Sequence, residues 1–237
     1  MILETLIYPL FILSIVLAVF AQVKVGSTYK KYASVYTGAG MTATDVARRM
    51  LKDRGVYDVS IGRVSGNLTD HFDPRSKTLA LSDTTFASHS AAAIGVAAHE
   101  AGHALQYAEG YIPVKLRSAI VPMTSFASRA SWVFIMLGIL ISAFTYSGAL
   151  GYYVVMTGIA LFAVTTLFQL ATLPCEFNAS KRAIGALREM GCYNENELTA
   201  AKKVLTAAAL TYVAASFVSM MQLLRLVLIF SRRNNRR

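Results

Sequence analysis

Cysteine is nearly absent: Cys175 and Cys192 are the only two, and they form no C-x-x-C pair. That excludes a disulfide framework, and Cys175 reads as a buried reduced thiol. Charge is sparse as well. Charged residues make up 15% of the chain against 55% hydrophobic ones, and mean hydropathy is +0.48. Ordinary soluble domains carry about 25% charged residues, so this balance is too apolar for a soluble enzyme. No basic stretch precedes the first apolar run and no usual cleavage site follows it. Residues 2–22 therefore read as a retained membrane anchor and not as a cleaved signal peptide. Histidine is scarce too. There are four in the whole chain, so their spacing carries information.

What charge there is has a direction. The formal net charge of +10 comes largely from basic residues flanking apolar runs, such as Lys24, Lys30, Lys31, Arg232, Arg233, Arg236 and Arg237. They do not interleave with aromatics, so they fit membrane topology and lipid headgroups and argue against a nucleic-acid partner. Besides 2–22, apolar runs occupy 131–146 and 150–173, joined at Ser147 and Gly148, with Trp132, Tyr146, Tyr152 and Tyr153 at their ends. That pattern predicts a transmembrane hairpin. The last run, 204–230, is awkward: Arg225 interrupts it and the tail 231–237 is basic. One resolution packs its Ala-rich part, 200–215, on the preceding domain and leaves only the remainder for the bilayer. The fold class expected is an α-rich membrane protein with about three or four transmembrane helices. Basic residues after the first run put the segment that follows on the cytoplasmic face.

Between anchor and hairpin, 23–130 has the composition of a mixed α+β domain. A helix is predicted from Thr42 or Thr44, with Val46, Met50 and Leu51 on its apolar face. Residues 57–64 alternate as a short strand, and 68–82 read as a hairpin around Asp73, Pro74, Arg75 and Ser76. Its second strand, 78–82, leads towards the next helix. As an edge strand it would suit pairing with an extended peptide substrate; otherwise the hairpin is structural. His71, beside Asp70 and Asp73, reads as a solvated turn histidine in preference to a second metal site, and His89 takes no role. Asn67-Leu-Thr69 is a glycosylation sequon that a cytoplasmic location silences.

The most specific stretch is His99-Glu-Ala-Gly-His103, set among small residues with Ser88 or Ser90 available as a helix cap. Residues four apart on a helix share a face, so two imidazoles can grip one Zn²⁺ while Glu100 reaches a water on it. The alternative is a buried helix with two core histidines. A catalytic zinc needs a third ligand. The acidic candidates downstream are Glu109, Glu176, Glu189, Glu195 and Glu197. Glu189, Glu195 and Glu197 sit on a polar stretch that looks solvated. Glu176 follows Pro174, where a helix is predicted to leave the bilayer among small and apolar neighbours. A carboxylate buried there would need a partner; a helix N-terminal Glu favoured by the macrodipole is the competing reading.

His99 to His103 together with Glu176-Phe-Asn-Ala-Ser-Lys-Arg-Ala183 resembles the gluzincin group of membrane zinc metallopeptidases. Within it, the chain resembles the YugP-type bacterial neutral zinc metallopeptidase family, whose pattern also runs through Asp70-His-Phe-Asp-Pro-Arg75. It is more distantly similar to the HtpX and CAAX-prenyl-protease type enzymes. The resemblance implies one zinc per chain, His99, His103 and Glu176 as ligands, and Glu100 as general base and acid. Two positions depart from relatives' patterns. Ser180 stands where HtpX-type relatives carry Asp, and Asn178 where the closer family commonly has Asp. Both are candidates for supporting the ligands. His71, Tyr212 and Arg182 are candidates for stabilising an oxyanion.

The expected function is that of a membrane-anchored zinc metalloendopeptidase in the bacterial cell membrane, acting in membrane-protein quality control, with its zinc site on the cytoplasmic face. By segment, 2–22 is the anchor, 23–130 the zinc-binding domain and 131–173 the hairpin. Residues 174–203 complete the site, 204–230 are apolar and membrane-associated, and 231–237 form the tail. Two rivals stand beside this. One is a non-enzymatic scaffold or holdase retaining zinc, against which the lack of a fourth protein ligand counts. The other is a hydrolase of lipid or another non-peptide bond. Oligomeric state is not legible.

Overall fold

The computed structural model describes residues 2–144 and 149–234. The expected turn at Ser147 and Gly148, Tyr146, and the tail residues Arg236 and Arg237 lie outside the described residues. The elements run α1 (Ile2–Ala33), α2 (Ala43–Asp53), β1 (Ser60–Val64), β2 (His71–Asp73), β3 (Thr78–Ser82), α3 (Ala91–Ala108), α4 (Ile112–Phe144), α5 (Ala149–Glu189) and α6 (Glu195–Asn234). Among the described residues, α1, α4, α5 and α6 each contain a stretch long and apolar enough to cross a membrane. The chain is thus an α-rich membrane protein with a small sheet. Ile12, Val16, Val133 and Leu167 are each more than half exposed, a surface that water penalises and lipid does not.

The described chain forms two compact units. One comprises the chain up to Val19, Leu116–Thr172 and the chain from Tyr212 on. In it α4 and α5 touch through small residues. A Cβ on Gly138 would meet Val155 at 2.6 Å, and one on Gly158 would meet the Ser131 carbonyl at 2.7 Å. Such close approach is how membrane helices gain packing without a hydrophobic driving force between them. Ile135, Val155, Ile159 and Phe162 join Leu226 and Phe230 of α6 in this unit's core. Arg225 has its guanidinium over the rings of Tyr8 and Phe11, 5.4 and 5.0 Å from their centroids, so its charge is held by aromatic faces.

The other unit comprises Phe20–Lys115 and Leu173–Thr211. Its order is set locally by capping. Thr42 caps α2 in a reciprocal box with Asp45, and that hydrogen bonding holds the Asp45 carboxyl below its usual range. Ser90 caps α3, its Oγ accepting from Ala93 N–H at 3.2 Å. The sheet has the order β1-β3-β2, with β1 parallel and β2 antiparallel to β3. Asp70 locks the end of β3 by accepting from Ser82 N–H at 2.8 Å and from its hydroxyl at 2.9 Å. The core lies between sheet and helices: Val46 and Met50 of α2, Leu79 and Leu81 of β3, Ile94 and Ala101 of α3, Leu187 of α5 and Leu205 of α6.

Three expectations change here. Residues 78–82 are not an edge. β3 is the middle strand, with both neighbours in place, so a peptide cannot add to it. The hairpin itself forms, but β1 returns parallel on the other side, which the hairpin signal does not encode. Pro174 does not open a helix: α5 runs unbroken from 149 to 189 with Pro174 inside. Proline removes one N–H and crowds the preceding turn, yet a helix of about 60 Å retains many other bonds. The expected boundary at 130 lies inside α4, which the compact units divide at Lys115 and Leu116. The last apolar run, by contrast, follows the resolution offered for it: α6 is one helix whose early turns belong to the second unit through Leu198, Ala201 and Leu205. Those turns pack because their small side chains let α6 lie against Gly95 of α3, where a Cβ would stand 3.2 Å from that of Ala201.

Candidate metal centre

The small residues that surround His99 and His103 bring α3 against α5. A Cβ on Gly102 would lie 2.8 Å from the Ala179 carbonyl oxygen, so the two helices pass almost backbone to backbone there. This contact carries Glu176 of α5 to the histidine face of α3. The Nε2 atoms of His99 and His103 lie 3.3 and 3.5 Å from the same Glu176 oxygen. The imidazole rings stand edge to face at a centroid separation of 4.7 Å. Glu176 is 1% exposed and His103 is buried, while His99 and Glu100 are partly open.

The spacing suits a metal. Two ligands each about 2.0–2.1 Å from a tetrahedral zinc lie about 3.3–3.4 Å from each other, close to the separations measured. Among the described residues, one such His, Cys, Asp and Glu cluster forms: one donor atom from each of these three residues falls within 4.8 Å of the others. A buried carboxylate and two imidazoles also match the hard-to-borderline donor set zinc takes. The residues present therefore fit the ion.

The remaining acidic candidates are engaged elsewhere. Glu109 pairs with Arg182 at 2.6 Å, Glu189 with Arg54 at 2.5 Å and Glu195 with Arg188 at 3.7 Å. Glu197, expected to be solvated, is buried. It accepts from Asn194 N–H at 2.8 Å and from Gly38 N–H at 2.7 Å, capping α6 while tying it to a distant loop. Glu176 lies deep inside α5, so a helix N-terminus does not account for its charge.

Around the three donors runs a hydrogen-bonded shell. Ser180 Oγ is 3.1 Å from His99 Nδ1. His103 Nδ1 is 3.0 Å from Gln106 Oε1. Gln106 is fully buried, and its Nε2 donates to the Cys175 carbonyl and to Asn178 Oδ1, both at 2.9 Å. Two acceptors on the amide nitrogen leave the amide oxygen to face His103. His103 then carries its proton on Nδ1 and presents the Nε2 lone pair towards Glu176. Asn178 Oδ1 also accepts from Arg182 Nε at 2.7 Å. Asn178 thus acts through Gln106 and not on a candidate ligand directly. Gln106 went unnoticed in the sequence, although a polar residue three after His103 on an apolar helix was the available signal.

Two of the expected oxyanion candidates have partners outside the three-donor cluster. Arg182 is engaged by Asn178 and Glu109 and lies over the Tyr111 ring at 5.8 Å. His71 opens β2, exposed, with Nδ1 2.8 Å from the Thr69 carbonyl. Tyr212 belongs to the other compact unit.

Comparison with known proteins places the whole chain in a family. Residues 7–231 match the model of a family described as "putative neutral zinc metallopeptidase". The chain belongs to that family. It is 44% identical over 214 residues to the "putative membrane protease YugP" of Bacillus subtilis (strain 168), covering 90% of this chain and 92% of that protein. No solved structure matches. The family's name implies zinc, and the His99, His103 and Glu176 cluster is where this member offers a place for it.

Two consequences follow for this family member. Gly102→Ala should drive α3 from α5, destabilising the protein by about 1–3 kcal/mol and lowering its zinc content. Helix propensity alone would make the same change stabilising by about 1 kcal/mol, so thermal unfolding with metal analysis separates the two. Gln106→Leu should weaken zinc binding about 10- to 100-fold in a chelator competition. An unchanged affinity would mean that His103 needs no orienting partner.

Proposed function

We propose that the chain is a membrane-embedded zinc metalloendopeptidase of the gluzincin type. His99, His103 and Glu176 hold the metal and Glu100 is the general base and acid. The observation that carries this is the convergence of both imidazole Nε2 atoms on one oxygen of the buried Glu176, 3.3 and 3.5 Å away. A zinc ion there supplies a Lewis acid for the scissile carbonyl and brings the pKa of a water to about 7.

The chain's own groups do the rest. Glu100, next to His99 on α3 and partly open, takes the proton of the attacking water and delivers it to the departing amine. Gln106 holds His103 in the tautomer that turns its Nε2 lone pair towards Glu176, and Ser180 orients the His99 ring through Nδ1. Three protein ligands leave a position open for substrate, which favours catalysis over a holdase with a closed structural site. With β3 flanked on both sides, the substrate backbone must pair elsewhere. The outer edge of β2 is free of strand partners among the described residues and packs on the same helix, through Phe72 against Tyr107.

Lys24, Lys30 and Lys31, which follow the first apolar stretch, support a cytoplasmic position for the centre in a bacterial cell membrane. A protease there fits quality control of membrane proteins. The test is to incubate the detergent-solubilised protein with unfolded casein, with and without a chelator. Chelator-sensitive fragments are expected. Intact casein under both conditions would overturn the reading.

A further inference from the structure

The outer edge of β1 adjoins a groove that the metal centre does not use. Among the described residues β1 pairs with β3 alone. Ser60 N–H donates to the Lys77 carbonyl at 3.0 Å. Because backbone groups alternate along a strand, Ser60, Gly62 and Val64 face β3, while the N–H and C=O of Ile61 and Arg63 face outward. The strand is exposed or half-exposed along its length, and no proline or bulge blunts it, as edge strands otherwise require.

Beside this edge opens a groove of about 370 Å³. Leu51 of α2 and Val56, Val59 and Ile61 give it an apolar wall, and Arg48 and Lys52 line it as well. Those two cations sit four apart on one face of α2. Both are exposed, and neither forms an ion pair among the described residues. The acids nearby are committed: Asp53 to Arg49 at 3.6 Å, Asp58 to Lys77 at 2.6 Å, and Asp45 to the Thr42 cap. The groove therefore combines a free strand edge, an apolar wall and two exposed cations without an ion pair among the described residues, Arg48 having only the longer-range attraction of Asp45.

We propose that β1 and this groove bind an extended acidic segment of a polypeptide by strand addition. The segment's backbone pairs with Ile61 and Arg63, its apolar side chains pack on Leu51, Val56 and Ile61, and its carboxylates meet Arg48 and Lys52. Main-chain bonds supply affinity in such pairing, and alternate side chains supply selectivity. A lipid surface would use the charges but has no use for outward-facing amides, which is why a peptide is the occupant argued. The inference rests on the peptidase reading only in taking this segment to be part of a substrate. It makes the site a holding point separate from the metal centre.

The test uses full-length protein carrying Glu100→Gln, in detergent, and a short fluorescent peptide of alternating Glu and Val. Anisotropy should show saturable binding that survives removal of metal by a chelator. Arg48→Glu with Lys52→Glu should weaken it about tenfold or more. Methylating every second peptide amide tests the edge without altering the protein. One phase of methylation should abolish binding and the other should spare it, because only one set of amides faces β1. The inference is overturned if both phases behave alike, if the charge reversal has no effect, or if the chelator releases the peptide. It is also overturned if phosphatidylglycerol vesicles bind through Arg48 and Lys52 while the peptide does not. Casein cleavage by the unaltered chain is scored separately, so peptide binding without any cleavage would sink the peptidase reading and leave this one standing.

Discussion

Glu100→Gln is expected to reduce casein hydrolysis to background while zinc stays at one ion per chain. The amide keeps the side chain's shape but cannot take a proton, and general acid–base groups contribute about 10²- to 10⁴-fold to rate. Glu100 is partly open and is not one of the three clustered donors, so the metal should not feel the change. Cleavage at near-normal rate would remove Glu100 from the mechanism. Loss of zinc along with activity would instead make it part of the binding site. Metal analysis and fragment release on the same preparation distinguish these results.

Glu176→Ala is expected to differ in the metal, losing zinc and activity together. The carboxylate lies within 3.5 Å of both imidazole Nε2 atoms and is 1% exposed, so water cannot readily substitute for it. Two histidines alone fall short of the three ligands a catalytic zinc needs. The control is Glu109→Ala, which breaks only the outer pair with Arg182 and should retain zinc. Full zinc occupancy in Glu176→Ala would sink its assignment as a ligand and return the search to other acids. Apparent stability is a second readout. A bound metal stabilises the folded state by mass action, so the unaltered chain should melt at higher temperature with zinc than with chelator, and the variant should show no such difference.

Much of this was legible beforehand because it is written in local spacing. His99 and His103 share a helical face, with Glu100 one position round, whatever the tertiary structure does, since 3.6 residues per turn decides it. The caps Thr42 and Ser90 likewise follow from side-chain and backbone chemistry over three residues. Apolar stretches of bilayer length announce membrane helices because unsatisfied backbone groups cannot sit in lipid. Pro174 and strand 78–82 misled for one reason. A proline's effect and a strand's edge or centre position depend on what packs beside them, which no short window contains. Glu197 misled similarly: its partner Gly38 lies 159 residues away.

The sequence by itself determined that two imidazoles would share one face of α3, with a carboxylate one position round from the first, in a membrane protein, because periodicity and hydropathy are local properties of the chain. Only the tertiary structure decided that α5 would meet that face through Gly102 and Ala179, bringing Glu176 to the histidines and Gln106 to His103 and Asn178. Apart from the local pair of His103 and Gln106, those contacts join residues more than seventy positions apart. They exist because two backbones can approach where one lacks a side chain, and such a fit becomes visible only when both helices are in place.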